Sequence, residues 1–271
     1  MTALPMVTVV VPTRDEAANV APLVERLARA FAARALAWEV LFVDDSDDDT
    51  PAAVRKAAER APVRLHHRPR GKRHGGLGGA VQDGFAAARG DVLAVMDADL
   101  QHPPELVPLL VAPILEGWAD LVAGTRYGDE DHVDGLAGPW RRGVSTGSRR
   151  LVHMAVSRSR CLSDPMSGLF AFDRSVIDGV VLRTNGFKIL LEVAARGRPL
   201  RVHNLAYHFA ERHAGASKAN VAQGGRFLAH LARLAVDRRH LRSLPDAAAA
   251  LGRDGPRPAA RATPVSYRPG G

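Results

Sequence analysis

Short apolar runs and longer amphipathic stretches alternate through the first half of this chain. Val7–Val11 reads as a strand buried on both faces. Apolar positions then recur at helical spacing over about Val20–Ala35, with Asn19 placed to cap that helix. Trp38–Val43 is a second strand. Pro51 sits at a first helical position, and its helix runs to about Arg60. Val63–His66 is a short third strand, followed by the loop Arg68–Leu77, rich in Arg, Lys and Gly. A helix from about Gly78 to Arg89 precedes the strand Val92–Met96. Pro103 and Pro104 open another helix, and Asp120–Ala123 gives a fifth strand. Strands alternating with helices predict βαβ units, a parallel sheet and right-handed crossovers, hence an α/β fold.

The second half is less regular. The pattern predicts a helix over about Pro139–Val156, a loop at Ser163–Gly168 and a short strand at Leu169–Phe172. A helix around Phe187–Arg196 and a strand around Leu200–Tyr207 follow. Val221–Arg239 reads as an amphipathic helix, with Phe227, Leu228, Leu231, Leu234 and Ala235 on one face and Arg226, His230 and Arg233 on another. The stretch after Pro245 is rich in Ala, Pro, Gly and Arg and is expected to be disordered. The division expected is a catalytic unit over residues 1–218, an amphipathic helix over 219–240 and a tail over 241–271.

With 271 residues, 46% of them hydrophobic, the chain can bury a substantial core. It has no run of 18 apolar residues, so no membrane-crossing helix is expected. No basic segment precedes an apolar one at the N-terminus, as a signal peptide requires. Cys161 is the sole cysteine, which excludes an internal disulfide and suits a reducing, cytoplasmic setting. A net charge of +8 favours anionic partners. Nucleic acid is set aside, because aromatics make up 5% of the chain and no RNA-recognition or helix-turn-helix pattern is visible.

The most informative segment is the one that ends the fourth strand, Asp97-Ala98-Asp99-Leu100-Gln101. Two like charges at the end of a buried strand are costly unless a cation neutralises them. The donors offered are oxygens, the set preferred by Mg²⁺ or Mn²⁺, ions that keep positions open for water and substrate phosphates. A bare Asp-x-Asp also fits a solvated acidic turn, so context matters. Three further loops fall at the ends of successive strands: Pro12–Glu16, Asp44-Asp45-Ser46 and Lys72–Gly79. All four are expected at one edge of the sheet, where α/β folds bind ligands.

These segments resemble the inverting family 2 glycosyltransferases, and within them the polyprenyl-phosphate (dolichyl-phosphate) mannosyltransferases. Val9–Val20, containing Pro12-Thr13-Arg14-Asp15-Glu16, is similar to that family's opening motif. Gly76-Leu77-Gly78-Gly79-Ala80, Gly84, Gly90-Asp91 and Met96–Glu105 follow its pattern closely. Gly124–Tyr127, Arg141 with Ser145, Asp164–Gly168, and Arg212 with Gly215–Lys218 recur in the family's order.

The resemblance implies a GT-A, Rossmann-like catalytic domain and a set of roles. Pro12, Arg14, Glu16, Val43 and Asp45 match positions that hold the base and ribose of a nucleotide sugar. Asp97, Ala98 and Asp99 match donor-binding positions, and Asp97, Asp99 and Gln101 match the ligands of Mg²⁺ or Mn²⁺. Arg126, Arg141 and Ser145 match positions that grip the acceptor phosphate, with Asp99, Arg126 and Arg141 in the catalytic role. Arg126, Arg212 and Lys218 also match donor-binding positions, the last two on a lid. The implied reaction moves a hexose, with mannose from GDP-mannose favoured, onto a polyprenyl phosphate. An acceptor phosphate, largely dianionic at pH 7, is itself a nucleophile and requires no dedicated base.

The enzyme is then expected in the cytoplasm, peripheral at the inner face of the membrane, with its C-terminal helix on the lipid surface. A membrane-protein partner subunit is left open. Two departures border the base position: Arg14 replaces the family's Tyr, and the Asp44–Thr50 turn is one residue shorter and lacks both glycines. They keep open an alternative, a UDP-sugar (glucosyl-type) transferase acting on polyprenyl phosphate or a soluble acceptor. A processive polysaccharide synthase is disfavoured, since the sequence shows no Gln-x-x-Arg-Trp motif and no expected membrane-crossing helix.

Overall fold

The computed structural model describes residues 6–125, 150–183, 188–198, 201–207 and 229–236. Strand β1 (Val7–Thr13) pairs in parallel with β2 (Trp38–Asp44) on one side and β4 (Val92–Val95) on the other. Strand β3 (Val63–His67) adds outside β2, also parallel. Beyond β4 lie β6 (Phe170–Asp173), β5 (Leu121–Thr125) and β7 (Val202–Ala206), giving the order β3-β2-β1-β4-β6-β5-β7. Six of the seven strands run the same way, and only β6 is reversed. Because β6 begins at the edge where β4 and β5 end, it needs no crossover and pairs antiparallel to both.

The helices are α1 (Ala17–Ala32), α2 (Thr50–Ala58), α3 (Gly76–Ala87), α4 (Val107–Leu115) and α5 (Ile189–Arg196). Side chains on alternate residues of a strand leave by opposite faces. Val7, Val9 and Val11 therefore pack with Leu23 and Leu27 of α1 and Leu110 of α4. Val10, Leu93 and Val95 pack on the opposite face with Val81 and Phe85 of α3 and Leu190 of α5. The result is a sheet covered on both sides, as continuous apolar strands demand.

Helix α1 starts at Ala17, so Asn19 lies inside its first turn rather than at the cap, and its Nδ2 donates to Glu16 Oε2 at 2.5 Å. Pro103 and Pro104 lead first into a 3₁₀ turn, Pro104–Leu106, and only then into α4.

Helical residues 150–155 and 229–236 join α5 in a third apolar cluster. Leu231 and Leu234, expected to face lipid, are buried there against Val152, Val156, Leu191 and Ala195. Over 229–236 the apolar face is covered by protein, because α5 and residues 152–156 offer it an apolar surface. The remainder of the 219–240 helix and the tail 241–271 lie outside the described residues. No helix among the described residues is long and apolar enough to cross a membrane.

Candidate active site

The chain steps leftward from β1 to β2 and β3, then returns to place β4 on the other side of β1. The crevice outside the carboxyl ends of β1 and β4 is thus a topological switch point, where open α/β sheets bind ligands. Register places Thr13 beside Asp44, and Met96 N–H donates to Val10 C=O at 3.2 Å. The loops after β1, β2 and β4 are therefore side by side, as the strand pattern predicts.

The first two loops are stitched together. Asp45 N–H donates to Thr13 C=O (2.9 Å), Asp15 N–H to Ser46 Oγ (2.8 Å) and Glu16 N–H to Thr50 Oγ1 (3.0 Å). Asp15 has a φ of +57°, a left-handed conformation that costs a non-glycine residue on the order of 1 kcal/mol. Arg14 is exposed, with its Nε 3.8 Å from Asp15. Pro12 and Val43 are buried strand residues. Val43 packs in the core beside α3.

Asp44 is fully buried and accepts from Ser46 Oγ at 2.5 Å, with His67 Nδ1 at 2.7 Å. The Asp45 carboxylate is gripped in a fork by Arg68, Nε at 2.8 Å and Nη2 at 2.6 Å. The Arg68 residue is only 3% exposed. It also donates to Asp83 at 3.1 Å, to His74 C=O at 3.2 Å and to Gly76 C=O at 3.0 Å. Burial works against the guanidinium charge, yet hydrogen bonds to Asp45 and Asp83 outweigh it and raise the pKa of Arg68 above its ordinary value.

Arg73 forks onto Asp47 with two contacts of 2.9 Å, and Arg70 Nε stands 3.1 Å from the same carboxylate. Those hydrogen bonds hold Asp47 well below the usual carboxylate range. The acidic turn after β2 and the basic loop after β3 thus neutralise each other. The glycine run is equally constrained: a Cβ on Gly79 would lie 1.9 Å from the carbonyl oxygen of His74.

The loop after β4 is built differently. Asp97 Oδ2 stands 3.4 Å from His102 Nε2, and His102 Nδ1 is 2.7 Å from Tyr207 Oη. The Asp97 side chain remains 42% exposed. Asp99 Oδ1 accepts the N–H of Gln101 at 3.1 Å, while Ala98 is buried. Between Asp99 and Gln101, the buried Leu100 takes a φ of +61°, unusual for a bulky residue. Glu105 anchors the end of the segment to α1 through a fork from Arg26 with two contacts of 2.7 Å. Burial tends to raise the Glu105 pKa, but the bond from Arg26 prevails and lowers it. Gly168 comes from the 163–168 loop, which the reversed β6 brings to this edge. A Cβ there would sit 2.5 Å from Asp97 Oδ2.

Asp97, Asp99 and Gln101 offer oxygen donors at an open crevice. Among the described residues no three His, Cys, Asp or Glu side chains form a ready-made metal cluster. An incomplete oxygen set suits a hard dication that completes its shell with water and substrate phosphates, and does not suit a closed structural metal. Arg126, Arg141, Ser145, Arg212 and Lys218 lie outside the described residues.

Sequence reasoning missed Arg68 as the partner of Asp45, and His102, Tyr207 and Gly168 as the surroundings of Asp97. For Arg68 a signal existed: runs of opposite charge, 44–49 and 68–73, follow two strands that pair in the sheet. For Tyr207, 105 residues from its partner, no local pattern existed.

Residues 8–178 match the model of glycosyl transferase family 2. A dolichol-phosphate mannosyltransferase of Pyrococcus furiosus is 36% identical over 229 residues, 84% of this chain and 63% of that protein. The chain thus spans under two thirds of that relative. A dolichol-phosphate mannosyltransferase of Mycosarcoma maydis is 36% identical over 224 residues, 79% of this chain and 74% of the relative. Among solved structures, glucosyl-3-phosphoglycerate synthase from Mycobacterium tuberculosis, in complex with Mn²⁺, UDP and phosphoglyceric acid, superposes with a TM-score of 0.60. It is 19% identical, with 89% of this chain and 80% of that one covered, a likeness of fold.

Proposed function

Because the chain belongs to glycosyl transferase family 2 and is a glycosyltransferase, we propose that it transfers a mannosyl group from GDP-mannose to a polyprenyl monophosphate, inverting the anomeric carbon. The observation that carries this reading is the pair Asp97 and Asp99 at the β1/β4 switch point, beside the loops that end β1 and β2. The two dolichol-phosphate mannosyltransferase relatives, each matching more than three quarters of the chain, support the sugar and the acceptor.

In this reading the base and ribose rest against the 12–16 and 44–46 loops, whose shape the Asp45–Arg68 fork maintains. Asp97, Asp99 and Gln101 would hold Mg²⁺ or Mn²⁺, which when bound would supply Lewis-acid stabilisation of the departing nucleoside diphosphate, worth several kcal/mol. The acceptor phosphate approaches from the opposite side of the sugar, gripped by Arg126, Arg141 and Ser145. Its dianion is the nucleophile, so the chain's task is alignment rather than proton abstraction. Arg212 and Lys218 close over the donor. With a lipid-linked acceptor, the enzyme works peripherally at the cytoplasmic face of the membrane.

One observation favours a second reading, in which the donor is a UDP-sugar. The base-side loop is rebuilt: Arg14 is exposed at its mouth, and the short Asp44–Thr50 turn is clamped by Arg68 and Arg73. The carboxylate of Asp45 could accept hydrogen bonds from guanine and uracil alike.

A single panel tests both readings. Purified protein is incubated with Mn²⁺, a short polyprenyl phosphate and radiolabelled GDP-mannose, UDP-glucose or other sugar nucleotides. Label is expected in the organic phase from GDP-mannose. Transfer at least about tenfold faster from UDP-glucose, a difference of about 1.4 kcal/mol, replaces the mannosyl reading with the glucosyl one. Label only in water-soluble products removes the lipid acceptor.

A further inference from the structure

We propose that Tyr207 and His102 are positioning residues that orient the Asp97 carboxylate and so set the affinity of the site for its divalent cation. This rests on the reading of Asp97 as a ligand of that cation.

Tyr207 follows directly on β7, and its N–H donates to Thr125 C=O at 3.0 Å, which fixes the backbone from which the ring projects. His102 ends the loop that begins at Asp97, and Pro103 and Pro104 restrict the backbone behind it. Both side chains are buried, and Tyr207 Oη lies 2.7 Å from His102 Nδ1.

Hydrogen-bond direction follows from the next contact. A neutral imidazole carries one proton, and its two nitrogens take opposite roles. If Nδ1 donated to the phenol, the bare lone pair of Nε2 would face Asp97 Oδ2 at 3.4 Å, a repulsive arrangement. If Tyr207 O–H donates to Nδ1, the Nε2–H points toward the carboxylate. The second arrangement gives Nδ1 a donor and turns Nε2–H to the side of the carboxylate, so the proposed relay runs from Tyr207 through His102 to Asp97.

Gly168 completes the seat. With a Cβ 2.5 Å from Oδ2, any other residue there would push the carboxylate aside. One oxygen of Asp97 is thereby held between an imidazole and a backbone, while 42% of the side chain stays exposed toward the crevice. A carboxylate that is held in place loses less freedom when it binds an ion, and partners of this kind typically contribute about 10–100-fold in metal affinity. Packing alone does not account for the pair. Gly124 lies against the Tyr207 ring, and an apolar pair in the same space would avoid burying a hydroxyl and an imidazole.

The test measures Mn²⁺ binding to the full chain by electron paramagnetic resonance of the free ion, with GDP and, in parallel, UDP present. Tyr207→Phe removes one hydroxyl and keeps the ring; it is expected to weaken Mn²⁺ binding by about 3–10-fold with the fold intact by circular dichroism. His102→Leu is expected to weaken it at least about 10-fold. His102→Gln, which keeps an N–H donor, is expected to fall between His102→Leu and wild type. Mn²⁺ affinity within twofold of wild type in Tyr207→Phe, with or without a fall in melting temperature, overturns the relay, and this variant decides the matter even if His102→Leu fails to fold. Wild-type protein that binds no Mn²⁺ with either nucleotide overturns instead the reading of Asp97 as a ligand, and the relay with it.

Discussion

Strands β2 and β4 each lead into a loop bearing acidic residues, and the protein treats the two loops in opposite ways. After β2, Asp45 is met by a buried guanidinium through two contacts under 3 Å, and Asp47 is met by two more arginines. After β4, Asp97 faces one imidazole at 3.4 Å, and among the described residues no arginine or lysine pairs with it. The first pair is closed, with the protein supplying its own cation. Asp97, by contrast, keeps 42% of its side chain exposed, and on the proposed reading it meets a divalent cation there. Carboxylates at the end of a buried strand must be neutralised in one of these ways. On the proposed reading, the choice separates a carboxylate fixed by the protein's own arginine from one that meets a bound ion.

The contrast predicts that the two sites fail differently. Asp97→Asn, or exhaustive chelation of the wild type with EDTA, is expected to reduce transfer by at least about 1000-fold, several kcal/mol of transition-state stabilisation, while leaving the melting temperature nearly unchanged. Mn²⁺ or Mg²⁺ should restore the chelated enzyme and not the variant. Full activity in metal-free protein would collapse the distinction between open and closed.

Arg68→Met should behave in the opposite sense. It leaves the buried Asp45 without its paired guanidinium and is expected to cost about 3–5 kcal/mol of stability, read as a shift of the urea midpoint. Pairing it with Asp45→Leu removes the stranded charge and should recover most of that loss, a coupling that the double-mutant cycle measures. Arg68→Lys preserves the charge without the fork and should recover less than the double variant. If Arg68→Met proves as stable as wild type, the clasp is not a closed neutralised unit.

A smaller effect sharpens the rule through a group that stays uncharged. His230 is buried between helical residues 229–236 and α5, and burial, with Arg196 and Arg233 nearby, holds its pKa below the ordinary 6.5. Glu192 Oε1 stands 3.5 Å away, but that carboxylate is engaged at 2.6 Å by Arg196. Since the unfolded imidazole takes up its proton first, the unfolded state gains as pH falls through about 6.5. Stability should therefore be full above that value and decline toward the depressed folded pKa. Urea midpoints at pH 7.5 and 5.5 are expected to differ less in His230→Gln than in wild type. His203, also lowered by burial, accounts for part of the remaining slope. An unchanged slope in His230→Gln would remove His230 from the account.

What the sequence determined by itself is local and periodic. Runs such as Val7–Val11 and Val92–Met96 can only be buried strands, and their alternation with helices compels an α/β sheet with loops gathered at one edge. The Asp97–Gln101 segment was legible because charge at the end of such a run needs a physical reason. The tertiary structure decided everything that depends on contacts distant in the chain. It reversed β6, since strand direction follows from where the chain enters the sheet and not from the residues Phe170–Asp173. It covered Leu231 and Leu234 with protein, since an amphipathic face does not state what it will meet. It chose Arg68 for Asp45 and His102 with Tyr207 for Asp97, because fork geometry and imidazole direction exist only once β2, β3, β4 and β7 are packed in one sheet.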